Sequence, residues 1–162
     1  MRWMIPLAGL WIVSLSPTMA EIPDRWLERA RGFEQGVELQ QRHRADMILF
    51  IASRSPRGPA QRSRQVENEI FRRTEMREFL EDYVQVMLVI PGDTETIALA
   101  NDRFRVQHGP RLFVIRPGGF TTPVGLFDRE GDRRILLSIE DIQERIRSAS
   151  SPSRPGAHVP RR

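Results

Sequence analysis

The stretch FIASRSPRGPAQRS, Phe50 to Ser63, follows directly on Met47, Ile48 and Leu49, and its reading decides the fold. The run from Asp46 to Ala52 is nearly all apolar and of strand length, the pattern of a strand covered on both faces. Pro56, Gly58 and Pro59 break it into a loop, and the polar sequence beyond them is helical in pattern. A buried strand feeding a short loop and then a helix is where many α/β proteins place their chemistry. This loop holds no acid, no histidine and no cysteine, so it offers no acid–base pair, no metal ligand and no thiol.

Outward from the loop, the rest of the chain completes an α/β pattern. From Pro23 to Arg44, Trp26, Leu27, Ala30, Phe33, Val37 and Leu39 recur at mostly helical spacing, with Asp24 placed as N-cap. Gly32 and Gly36 weaken that helix. Gln61 to Arg72 buries Val66, Ile70 and Phe71, and Thr74 is placed to cap a segment bearing Met76, Phe79 and Leu80. YVQVMLVI, Tyr83 to Ile90, is a second buried strand. PGDT ends it and caps a short helix through ETIALANDRF. RLFVIR, Arg111 to Arg116, is a third strand, and PGG at 117–119 turns it into TTPVGLF, a fourth strand antiparallel to the third. Ser138 and Asp141 form a capping box for a last helix whose Ile139, Ile142 and Ile146 share one face. This order predicts one α/β domain with a four-stranded mixed sheet flanked by helices, including an extra N-terminal helix.

The two ends read differently from the domain. Arg2, an apolar run from Ile5 to Leu15, and SPTMA ending in Ala20 have the three-part layout of a secretory signal, with cleavage expected after Ala20. An uncleaved anchor is the competing reading, although the run is short for a membrane span. No stable membrane insertion is expected once the leader is removed, which places the protein in a periplasm or outside the cell. From Ser150 the chain is dense in Pro and Ser without apolar periodicity, the composition of a disordered tail, leaving residues 21–149 as the domain. Trimming the ends removes Arg2, Arg154, Arg161 and Arg162 but no acid, so the +4 formal charge of the chain vanishes: the domain holds 21 basic and 21 acidic residues. That balance argues against a nucleic-acid partner. Every basic residue is arginine, which codon bias explains better than a guanidinium-specific role.

The element order, with FIA running into a loop and helix and VQHGPRLFVIRPGG opening the terminal hairpin, resembles the thioredoxin-like fold over roughly Trp26 to Arg147. In that family the first core strand ends in a pattern like F-x-A-x-W-C-x-x-C. Aligned on FIASRSPRG, the tryptophan falls on Arg54, the first cysteine on Ser55 and the second on Gly58. The family also carries a proline, normally with a cis peptide bond, before the third core strand. Here VQHGPRLFVI supplies Pro110 preceded by Gly109, and RPGG stands where the family often has D-P-x-G. The departure decides the mechanism. The family's chemistry needs a low-pKa thiolate at the helix N-terminus and a second thiol to resolve the mixed disulfide. With no cysteine in the chain, dithiol–disulfide exchange is excluded.

Other chemistry at the loop finds little support. A serine nucleophile at Ser55 would need His108 as base, and helix capping is the simpler role for Ser55. His43, His108 and His158 have no metal-ligand spacing, so neither metal nor other cofactor is expected. Two binding readings remain, both using the former active-site loop (Arg54, Ser55, Pro56, Arg57, Gly58) and the proline loop (His108, Gly109, Pro110, Arg111). In one, Arg54, Arg57, His108 and Arg111 form a cationic patch at a helix N-terminus for an acidic segment or small anion, the alternative being scattered solvated arginines. In the other, which ranks first, an extended partner peptide pairs with the main chain at Gly109, whose missing side chain leaves the groove open. The resemblance thus implies a redox-inactive protein-binding or assembly module of a bacterial-type envelope. A disulfide-pathway accessory that takes a thiol or peptide ligand without dithiol chemistry of its own is the alternative.

Overall fold

The computed structural model describes residues 21–55 and 57–150. The leader at 1–20, Pro56, and residues 151–162 of the expected tail lie outside them. The five-stranded sheet has the order β1-β3-β2-β4-β5, formed by Leu27–Glu28 (β1), Met47–Ser53 (β2), Val84–Ile90 (β3), Arg111–Ile115 (β4) and Thr121–Val124 (β5). β1 and β2 run parallel to β3, while β4 is antiparallel to both β2 and β5. The helices are α1 (Arg29–His43), α2 (Arg57–Val66), α3 (Thr74–Phe79), α4 (Thr94–Ala98) and α5 (Ile139–Ala149). A π-helical turn at Glu67–Phe71 prolongs α2, and another at Leu99–Arg103 prolongs α4.

β2 is the centre of the molecule. All seven of its residues are buried, because both faces of the sheet are covered. Alternation sends Ile48, Phe50 and Ala52 into the core beneath α2, α3 and α5, and Met47, Leu49 and Ile51 into the core beneath α1. Phe50 is fully buried and meets Phe71 edge-on at 4.8 Å; burying such a side chain contributes about 1.5–3 kcal/mol.

The four expected strands, β2 to β5, lie where the sequence pattern puts them, and the departures are the added edge strand β1, the hairpin beyond β5 and the ends of elements. Trp26 and Leu27 are not in the first helix. Leu27 pairs with Val86 as an edge strand, and the chain reverses at Arg29, at φ 67°. Trp26 goes to the opposite core, against Phe50 and Phe71. Asp24 therefore caps nothing, and the helix starts after Glu28 without a side-chain cap. The two glycines that weaken α1 as a helix allow its close approach to the sheet: a Cβ on Gly36 would lie 2.7 Å from a Val86 methyl. Thr74 is the first residue of α3 rather than its cap. Asp93 and Ser138 do cap α4 and α5, accepting from the N–H groups of Thr96 and Asp141. The Ser138 hydroxyl in turn donates to Asp141 Oδ2 at 2.8 Å.

The expected fourth strand ends early. β5 stops at Val124, and Phe127 opens a separate two-stranded hairpin of Phe127–Glu130 (β6) and Arg133–Leu136 (β7). Its loop is Gly131-Asp132, with Gly131 at φ 59°, the glycine-first pattern of a tight two-residue turn. At the far end Ser150 closes α5, donating its hydroxyl to Ile146 O at 2.7 Å.

Candidate functional site

The end of β2, the first turns of α2 and the loop before β4 form one hydrogen-bonded unit. The N–H of Ser53 donates to Ser63 Oγ at 2.8 Å, and the Ser63 hydroxyl donates to Pro59 O at 3.0 Å. The N–H of Gly109 donates to Ser53 Oγ at 2.6 Å, and that of Arg54 to Ile90 O at 2.7 Å. Ser53 and Ser63 are both fully buried, where an unpaired hydroxyl is costly, so each bond fixes the loops to each other. The Ile90–Pro91 and Gly109–Pro110 peptide bonds are cis.

Gly109 is needed for packing rather than for an open groove. A Cβ there would fall 2.2 Å from Ile51 O and 3.0 Å from the carbonyl carbon of Ala52, so the loop backbone lies directly on β2. The absent side chain would point into the strand, not toward a ligand. Because Ser53 occupies the Gly109 N–H, a partner strand would find the usual donor at this position already used.

The residues expected in one cationic patch divide between two depressions. Arg54, Ser55 and Arg57 line a shallow one with Ala60, Gln61 and Arg64. There Arg54 is not a free cation: its guanidinium makes a bidentate pair with Glu67, at 2.6 and 3.1 Å. Ser55 and Gly58 are exposed. His108 and Arg111 line a different groove, of about 540 Å³. Ser55 and His108 thus line different depressions, and no hydrogen bond joins them among the described residues, so no nucleophile–base pair is formed there. The same residues hold no group of three or more acidic or histidine side chains fit to hold a metal ion.

The larger groove contains residues that the loop-centred reading misses. Arg62 enters it from α2, His108 and Pro110 from the proline loop, Arg111 from β4, and Arg129 and Arg134 from the β6–β7 hairpin. None of these arginines makes an ion pair or side-chain hydrogen bond among the described residues. The groove's acid, Asp128, lies 3.8 Å from Arg145, outside the lining. Arg129 and Arg134 are direct cross-strand partners, a like-charge juxtaposition that destabilises a hairpin. A sequence signal for these residues does exist: DREGDRR is two short polar runs about a Gly-Asp turn, and Arg62 lies one helical turn beyond Gly58.

No protein-family model matches the sequence, and no curated protein does. Solved structures do match. A thioredoxin from Thermus thermophilus superposes with a TM-score of 0.54 at 16% identity, over 76% of this chain and 85% of the other. A DsbH oxidoreductase gives 0.56 at 13% identity, over 88% and 94%. The oxidised C-terminal domain of DsbD from Neisseria meningitidis gives 0.54 at 11% identity, over 77% and 99%. At such identities the likeness is one of fold.

Proposed function

For a chain of thioredoxin-like fold without cysteine, we propose an exported, redox-inactive module that binds a protein or extended peptide at the region of Arg54, Ser55, Arg57, Gly58 and His108–Arg111. The observation that carries this reading is the Ser63–Ser53–Gly109 hydrogen-bond chain. It holds the strand end, helix start and proline loop as a rigid presenting surface, while Ser55 and Gly58 can neither form nor resolve a mixed disulfide. Preorganisation of this kind lowers the entropy lost on binding. The main-chain contribution at Gly109 rests on its carbonyl, since its N–H is used internally. Export to a periplasm or the exterior rests on the leader-like sequence at 1–20. An assembly role in a bacterial-type envelope is the finer reading we attach to an exported binding module.

Photo-crosslinking tests the reading. A photoreactive side chain at His108 of the full chain, expressed in its own envelope, should give a discrete protein adduct. The same group at Arg42, on the exposed side of α1, measures background. Equal labelling from both positions, or none from His108, would overturn the proposal. Insulin reduction should be blank, and activity there would contradict the placement of Ser55 and Gly58.

A further inference from the structure

We infer that the groove between the proline loop and the β6–β7 hairpin takes a carboxylate-rich, extended segment of the partner protein, held by Arg62, Arg111, Arg129 and Arg134. This names the ligand class for the binding-module reading above and rests on it. The arginines come from α2, β4 and the hairpin and converge on one groove, so the arrangement is not a run of charge along a single exposed helix face.

Two independent features point to an anionic occupant. The positive charge is in excess: four arginines face one lining acid, Asp128, which lies 3.8 Å from Arg145, and none of the four makes an ion pair among the described residues. The hairpin also sets Arg129 directly opposite Arg134, which lowers its stability in the free protein. A carboxylate between the two guanidiniums converts that repulsion into charge-assisted hydrogen bonds, for which the planar fork of arginine is suited.

The overall charge favours a peptide over a nucleic acid. Residues 21–149 carry equal numbers of acidic and basic residues, so the positive field is local to the groove rather than spread along a phosphate track. Nor does the chain's own C-terminal segment suit the groove, since residues 151–162 contain Arg154, Arg161 and Arg162 and no acid. The occupant is therefore part of another protein.

Fluorescence anisotropy with the full chain tests this, using labelled hexaglutamate, hexaglutamine and a short single-stranded DNA. Hexaglutamate should bind at least about tenfold more tightly than hexaglutamine, and lose about tenfold in affinity as salt rises from about 50 to about 300 mM. Arg129→Thr/Arg134→Thr should weaken hexaglutamate about tenfold while raising the Tm of the free protein, a pairing that damage to the fold does not produce. Arg31→Ala/Arg42→Ala, on the exposed side of α1, should leave affinity unchanged. Undiminished binding by the hairpin variant, or tighter binding of the DNA than of hexaglutamate, overturns the inference. Equal binding of the two peptides, with the His108 adduct still formed, overturns the acidic class and leaves the binding module standing. Loss of the adduct as well overturns both.

Discussion

The loop after β2 and the β6–β7 hairpin flank the same end of the molecule and treat their polar groups in opposite ways. On the loop side the groups are spent on structure: Ser53 and Ser63 tie the backbone together, and Arg54 is paired with Glu67. On the hairpin side Arg129 and Arg134 oppose each other without an acid between them. The loop is tied down, with its first arginine paired; the hairpin presents two arginines to the groove without an ion pair among the described residues. Position relative to a family motif therefore says where a site is built, whereas the free charge says what the site can hold.

Mutations can break this contrast, beginning with the loop side. Gly109→Ala should cost about 3 kcal/mol in denaturant unfolding, because its Cβ meets the β2 backbone. A loss below about 0.5 kcal/mol would mean that the proline loop is not seated on β2. Ser53→Ala removes the acceptor for the buried Gly109 N–H and should cost about 1–3 kcal/mol, measured in the same way. Glu67→Gln should cost only about 0.5–1 kcal/mol, since Arg54 is 39% exposed. It should also release Arg54, so tighter hexaglutamate binding by this variant would show that pairing, rather than position, had silenced that arginine.

The smallest effect lies away from both sides and calibrates them. The Thr96 N–H holds the Asp93 carboxyl below its ordinary value of 3.8. A depressed folded pKa contributes stability that is complete above the unfolded value and is lost as pH falls through the folded one. The stability of the wild type should therefore fall with acid below about pH 4, and Asp93→Asn should flatten that limb in urea titrations run at successive pH values. An unchanged limb would show that the cap bond does not favour the ionised form.

Much of the fold is legible because burial leaves a local trace. Met47–Ser53 is covered on both faces and Val84–Ile90 on one face with the other partly covered, so their apolar runs identify them without reference to the rest of the chain. Asp93 and Ser138 announce their helices through bonds that span three residues. Trp26 is the contrary case. Its spacing fits the first helix, yet pairing of Leu27 with Val86 across the sheet turns it into the other core.

The candidate site divides along the same line. The sequence by itself determined that dithiol chemistry is impossible and that a buried strand runs into a loop and a helix after Ser53, since cysteine content and local pattern need no partner; that this loop meets Gly109 and Pro110 was implied only by the resemblance. Only the tertiary structure decided that Arg54 is paired, that Gly109 spends its N–H inward, and that Arg62, Arg111, Arg129 and Arg134 share a groove. Those outcomes depend on contacts between residues far apart in the chain, and whether a charge is free depends on what the fold places beside it.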